Sequence, residues 1–228
     1  MTGKSALETL YPFLHGKEQD PAALDAGLRH SIEEKARESR ETNARFFAEQ
    51  ASVLLDAAKA LAAVYRHGGS MFTMGNGGSS CDAAHVAVEF LHPITAGRPA
   101  LAAINLTADI AMTSAVANDV GFEHVFVRQL IAHARSGDGL IGLSTSGNSA
   151  NLIAAFAKAK EMGLATIGLS GGDGGKMAQV CDHCLIVPTS SVHRIQECHV
   201  AAYHILWDLV HTLLADDRGA AISGDVAA

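Results

Sequence analysis

Much of what this sequence could do is excluded by what it lacks. No apolar run approaches the roughly 20 residues needed to span a bilayer, and residues 1–22 hold no apolar core of the kind a secretory signal needs. The expectation is a cytoplasmic protein with no membrane partner. No cluster of Lys or Arg stands out and the formal net charge is −7, so nucleic acid is not an expected partner either. The 228 residues contain no low-complexity break, and at 48% hydrophobic and 18% charged they match one globular core better than two.

Cysteine is scarce. Of the four, Cys181 and Cys184 form a C-x-x-C, but no second pair exists to complete a zinc knuckle, since Cys81 and Cys198 stand alone. Cys184 opens the apolar run Cys-Leu-Ile-Val, so the pair is read as buried small hydrophobes rather than a redox or metal site.

Two cofactor signatures are also missing. Gly75-x-Gly77-x-x-Ser80 lacks the third glycine of a dinucleotide fingerprint, and the next strand ends at Asn105 without an acidic residue for a ribose. No Gly-Lys-Ser/Thr follows the glycines, which excludes a P-loop.

What is present is a regular alternation. Three- and four-residue apolar spacing predicts helix from about Asp25 to Arg66, ended by Gly68-Gly69. Its length suggests packing on a partner subunit. Strands are predicted at Met71–Met74, Leu101–Asn105, Leu140–Ser144, Ala165–Leu169 and Leu185–Val187. Helices are predicted near 80–91, 109–117, 123–135, 150–162, 174–180 and 194–215. Such alternation implies an α/β fold, a doubly wound parallel sheet covered on both faces. The expected organisation is an N-terminal extension over 1–22, one domain with an N-terminal helical segment over 23–216, and a tail over 217–228.

Ligands in such sheets bind beyond the carboxyl ends of the strands. Two loops lie there: Gly75-Asn76-Gly77-Gly78-Ser79-Ser80 and Ser144-Thr145-Ser146-Gly147-Asn148-Ser149. Glycines admit close approach, and hydroxyls with helix-start N–H groups suit an anion. Either loop alone would be an ordinary turn and cap. Two at one sheet edge point to a phosphorylated small molecule. On the following helix His85 and Glu89 are four residues apart and face one way, as a helix-stabilising contact, a metal site or an acid–base pair. The last helix adds Gln196, His199, His204 and His211.

From about 25 to 215 the chain resembles the phosphoheptose isomerases, which act on sedoheptulose 7-phosphate and belong to the sugar-isomerase (SIS) domain superfamily. The resemblance rests on Gly-Asn-Gly-Gly-Ser at 75–79, Cys-Asp-Ala-Ala-His-Val-Ala-Val-Glu at 81–89 and Ala-Asn-Asp-Val-Gly-Phe at 117–122. It continues through Ser-Thr-Ser-Gly-Asn-Ser-Ala-Asn at 144–151, Gly-Gly-Lys-Met-Ala at 174–178, Arg-Ile-Gln-Glu at 194–197, and His204.

It implies a flavodoxin-like sheet, a homotetramer, and conversion of sedoheptulose 7-phosphate to D-glycero-D-manno-heptose 7-phosphate on the way to activated heptose. It implies substrate contacts from Asn76, Gly77, Gly78, Ser79, Glu89, Asn118, Asp119, Ser144, Thr145, Ser146, Ser149 and Gln196. One zinc per subunit would be held by His85, Glu89, Gln196 and His204, and Glu89 and His204 would be the catalytic pair. Aldose–ketose exchange through an enediol needs one base near C1 and C2 and another group near O1 and O2.

Two physical constraints accompany that assignment. A zinc-bound carboxylate is a weaker base, so Glu89 cannot easily be tight ligand and strong base at once. Gln196 and His204 are eight residues apart, about 12 Å along a straight helix, which makes His199 an alternative ligand. The chain also departs from the family pattern. Leu91-His92-Pro93 stands where Gly-Arg is common, with Arg98 the nearest cation downstream, and His193 stands where an aspartate usually precedes Arg-Ile-Gln-Glu. These departures bear on which sugar phosphate is used. Relatives that bind the replication initiator DnaA lack the His/Glu pair, which this chain keeps, and the tandem regulatory domain common in arabinose 5-phosphate isomerases has no expected counterpart after residue 215.

Overall fold

In the computed structural model, residues 21–216 are described, and the chain divides into one compact unit up to Arg40 and a second from Glu41. Helix α1 runs over Pro21–Arg66, starting four residues before the predicted Asp25. In the first unit Leu24, Leu28 and Ile32 recur every fourth residue and are exposed at 45, 56 and 68%. An Asp25–Arg29 ion pair at 3.0 Å ties adjacent turns there.

The second unit is built on a five-stranded sheet, all parallel. Its strands are β1 (Met71–Gly75), β2 (Ala103–Asn105), β3 (Gly139–Ser144), β4 (Ala165–Gly171) and β5 (His183–Val187), in the order β2-β1-β3-β4-β5. This is the flavodoxin-like arrangement expected from the sequence. β1 and β3 are buried along their whole length, which is why they read as continuous apolar runs and not as alternation.

Successive residues enter opposite cores. Met71 and Ile141 point to one face and Phe72 and Leu140, which are register partners, to the other. The first core is completed by α1, α2 (Gly78–Leu91) and α7 (Val192–Asp216). The second is completed by α3 (Ile110–Asp119), α4 (Val125–His133), α5 (Ala150–Glu161) and the single-turn α6 (Met177–Val180). A 3-10 turn, Phe122–His124, joins α3 to α4.

The differences from expectation are local. β2 begins at Ala103 because Leu101 N–H is taken by Phe90 O at 2.8 Å. α6 is shorter than 174–180 because Gly174 and Gly175 adopt φ of 86° and 55°, outside a helix. The expected extension over 1–20 and tail over 217–228 lie outside the described residues. Among those described, no helix is long and apolar enough to cross a membrane.

Candidate active site

β1 and β3 are neighbours whose following helices cover opposite faces of the sheet, so their exit loops part and leave a crevice between them. The two Gly/Ser loops form its walls. They are joined by a reciprocal amide pair, Asn76 and Asn151, each Nδ2 donating to the other's Oδ1 at 2.9 Å.

The first wall needs Gly75 for space, because a Cβ there would run into the Ser79 backbone. Gly78 lies against the Gln196 side-chain amide. Ser80 Oγ donates to Gly77 O at 2.6 Å, and Ser79 is buried. A cavity of about 190 Å³ opens here, lined by Gly75, Asn76, Gly77, Thr107 and Phe122 among others.

The second wall is a hydroxyl cluster with a buttress. Ser144 and Ser149 hydroxyls lie 3.1 Å apart, and Ser146 Oγ accepts from Asn148 N–H at 3.2 Å. Gly147 (φ 62°) packs on the carbonyl of Gly174. Lys176 N–H donates to Asn148 Oδ1 at 3.2 Å, and Met177 N–H donates to Gly147 O at 3.0 Å. The Gly-Gly-Lys-Met-Ala segment thus braces the serine loop from behind. Ser149 caps α5 without a side-chain bond to its first turn, where Leu152 N–H is taken by Asn151 Oδ1 at 3.1 Å; a helix start of this kind suits an anion. Thr145 and Ser146 also line a second cavity, of about 230 Å³.

α2 and α7 run side by side in one direction with a constant offset. Gln196 meets Gly78, Tyr203 Oη lies 2.8 Å from His85 Nδ1, and Trp207 Nε1 donates to Glu89 O at 2.8 Å. That register brings His85, Glu89 and His204 together, with one ligand atom from each lying within 4.8 Å of the others. His85 Nε2 is 3.1 Å from Glu89 Oε1, and the His85 and His204 ring centroids are 5.0 Å apart. Two imidazoles and a carboxylate at this spacing fit a borderline divalent cation, for which three protein donors suffice at a catalytic centre.

Not every predicted residue joins them. Gln196 is two helical turns from His204 and is seated on Gly78, at the crevice loop. His199 is fully buried, with Nε2 3.2 Å from Ser170 O, and burial pushes its pKa down to about 4. Asn118 and Asp119 stand exposed at the end of α3, bonded to each other at 2.8 Å, and line neither cavity. Arg98 stacks over the Trp207 ring at 4.3 Å and pairs with Asp208, which ties the 92–102 loop to α7. His193 is exposed in the first turn of α7. Cys184 lies in β5 and Cys181 just before it, both half-buried, and Cys198 is buried in the core.

Three contributors were not foreseen: Asn151, Tyr203 and Asp82. Asp82 Oδ2 is buried without a hydrogen-bond partner, and desolvation raises its carboxyl above the ordinary range, against a lowering influence of His85. Tyr203, buried in the core, has its phenol raised well above the usual range by burial and then by the charges of Asp82 and Glu89.

The SIS domain family model matches residues 36–171. The phosphoheptose isomerase of Desulfovibrio desulfuricans is 42% identical over 199 residues, covering 87% of this chain and 92% of that protein. That of Aneurinibacillus thermoaerophilus is 47% identical over 147 residues, covering 64% and 74%. Among solved structures, the phosphoheptose isomerase of Neisseria gonorrhoeae superposes with a TM-score of 0.77 at 36% identity, over 81% of this chain and 99% of that one. With its five-stranded sheet, paired crevice loops and His/Glu/His cluster, this chain belongs to the phosphoheptose isomerases of the SIS-domain family.

Proposed function

We propose that the chain interconverts sedoheptulose 7-phosphate and D-glycero-D-manno-heptose 7-phosphate, a step that supplies heptose for activation. The observation that carries this reading is the convergence of His85, Glu89 and His204 between α2, the helix that leaves the first Gly/Ser loop, and α7. A phosphate anchor alone would serve a binding protein equally well; an acid–base cluster in the same domain serves an isomerase.

The Ser144–Ser149 loop and the first turn of α5 hold the phosphate, so that binding energy fixes the open-chain sugar in place. Asn76, Gly77, Gly78, Ser79, Gln196, Asn118 and Asp119 are proposed to contact the sugar. The Glu89 carboxylate removes the C1 proton and returns it to C2. The His204 imidazole gives a proton to O2 as the carbonyl electrons move there, then takes the proton of O1 as the aldehyde forms. Atoms and charges balance, and both residues end as they began.

His85, Glu89, Gln196 and His204 would hold a zinc ion, one per subunit, with Glu89 alternating between ligand and base. When bound, zinc polarises the carbonyl and stabilises enediolate charge. A homotetramer is proposed from the family resemblance; the exposed Leu24, Leu28 and Ile32 stripe of α1 supports self-association, because an apolar stripe at helical spacing favours burial against another helix. A cytoplasmic location is proposed with it.

The test is a substrate panel. Purified protein is incubated with sedoheptulose 7-phosphate, arabinose 5-phosphate and unphosphorylated sedoheptulose. Conversion of the first alone supports the reading; preference for the pentose phosphate, or no conversion of any, removes it.

A further inference from the structure

The hydrogen bonds of His85 identify a group that acts on the cluster from behind. Both ring nitrogens are engaged: Nε2 lies 3.1 Å from Glu89 Oε1 and Nδ1 lies 2.8 Å from Tyr203 Oη. An ionised carboxylate only accepts, so the proton of the neutral ring sits on Nε2 and Nδ1 accepts from the Tyr203 hydroxyl.

That tautomer cannot ligate through Nε2. For Nε2 to present its lone pair, the single ring proton must move to Nδ1, by exchange with solvent at a side chain that is 42% exposed. Nδ1–H then donates to Tyr203 Oη. A hydroxyl serves both states, donating in one and accepting in the other. A carboxylate or carbonyl, the commoner second partner of a metal-bound histidine, serves only the second state.

When Tyr203 accepts, its own hydrogen needs a new acceptor. Asp82 stands one turn before His85 on α2, and its buried Oδ2 has no partner. Its charge helps raise the Tyr203 phenol. We propose that Tyr203, backed by Asp82, is a positioning residue that lets His85 switch its proton from Nε2 to Nδ1 and so take up a divalent metal. This rests on the metal reading of the cluster.

The test is zinc affinity, measured on the full chain by competition with a chromophoric chelator, together with the ¹⁵N spectrum of the His85 ring. Thermal melts check that each variant is folded. Tyr203→Phe keeps the ring and the packing and should weaken zinc binding by about 10- to 100-fold, and Asp82→Asn should weaken it in the same direction. In the zinc-loaded wild type, His85 should carry its proton on Nδ1. Tight zinc binding that is lost in His85→Ala but unchanged in both Tyr203→Phe and Asp82→Asn overturns this inference alone. A wild-type protein that binds no zinc, or a His85→Ala variant that binds it as well as wild type, overturns the metal reading and the inference together.

Discussion

Asn76 and Asn151 face each other as a closed amide pair, each donating to the other at 2.9 Å. The pair bridges the loop after β1 to the first turn of α5, so the width of the crevice is set by two side chains and not by the sheet alone. Asn151 is 3% exposed, and its Oδ1 also accepts from Leu152 N–H at 3.1 Å.

Asn151→Ala therefore leaves the Asn76 amide without its partner and Leu152 N–H without its acceptor. A stability loss of about 1–3 kcal/mol is expected in urea titration, with a raised KM for the sugar phosphate. A variant as stable as the parent, with unchanged KM, would show that the pair does not set the crevice.

Ser146 acts at the phosphate end. Its hydroxyl already accepts from Asn148 N–H, so its own hydrogen is free to meet an anion. Ser146→Ala is expected to weaken sugar-phosphate binding by about 10- to 100-fold, the worth of one hydrogen bond to a charged group. Calorimetry would read this directly, and undiminished affinity would take the phosphate away from this loop.

Glu89→Gln keeps the shape of the side chain and removes the base. Turnover should fall by about 10²- to 10⁴-fold while the elution volume on a sizing column stays that of the parent. Near-normal turnover would pass the carbon-proton transfer to another residue.

His199 sets a pH dependence of stability apart from catalysis. Burial holds its pKa near 4, against 6.5 for a free imidazole. Between these values the unfolded chain takes up a proton that the folded protein refuses. Stability is therefore full above pH 6.5 and declines as pH falls toward 4, by about 3 kcal/mol from this group. His199→Gln can still donate to Ser170 O but does not titrate. Its melting temperature should fall less steeply over that interval, and an identical slope in the two proteins would contradict the assignment.

The local elements were legible because their causes are local. Met71–Met74 and Leu140–Ser144 read as buried parallel strands from apolar runs bounded by glycine, and the glycine and serine loops declared themselves by composition. The convergence of His85, Glu89 and His204 was not derivable from spacing. It depends on α2 and α7 packing in one direction in a fixed register, and the contacts that set this register join residues more than 100 positions apart. Tyr203 was invisible for a related reason. At helical spacing among apolar neighbours it reads as core, which it is, and only its hydroxyl contact with His85 distinguishes it. Asn151 stands in the 144–151 motif with no role legible there, because its partner Asn76 lies on another strand's loop.

The most direct measurement is NMR of sedoheptulose 7-phosphate incubated with three samples: metal-stripped protein, the same protein with zinc restored, and the zinc-loaded Glu89→Gln variant. Appearance of the aldose with the restored protein, and its loss in the other two, is the expected result. No conversion by the restored protein, or equal conversion by all three, would contradict a sugar-phosphate isomerase built on His85, Glu89 and His204.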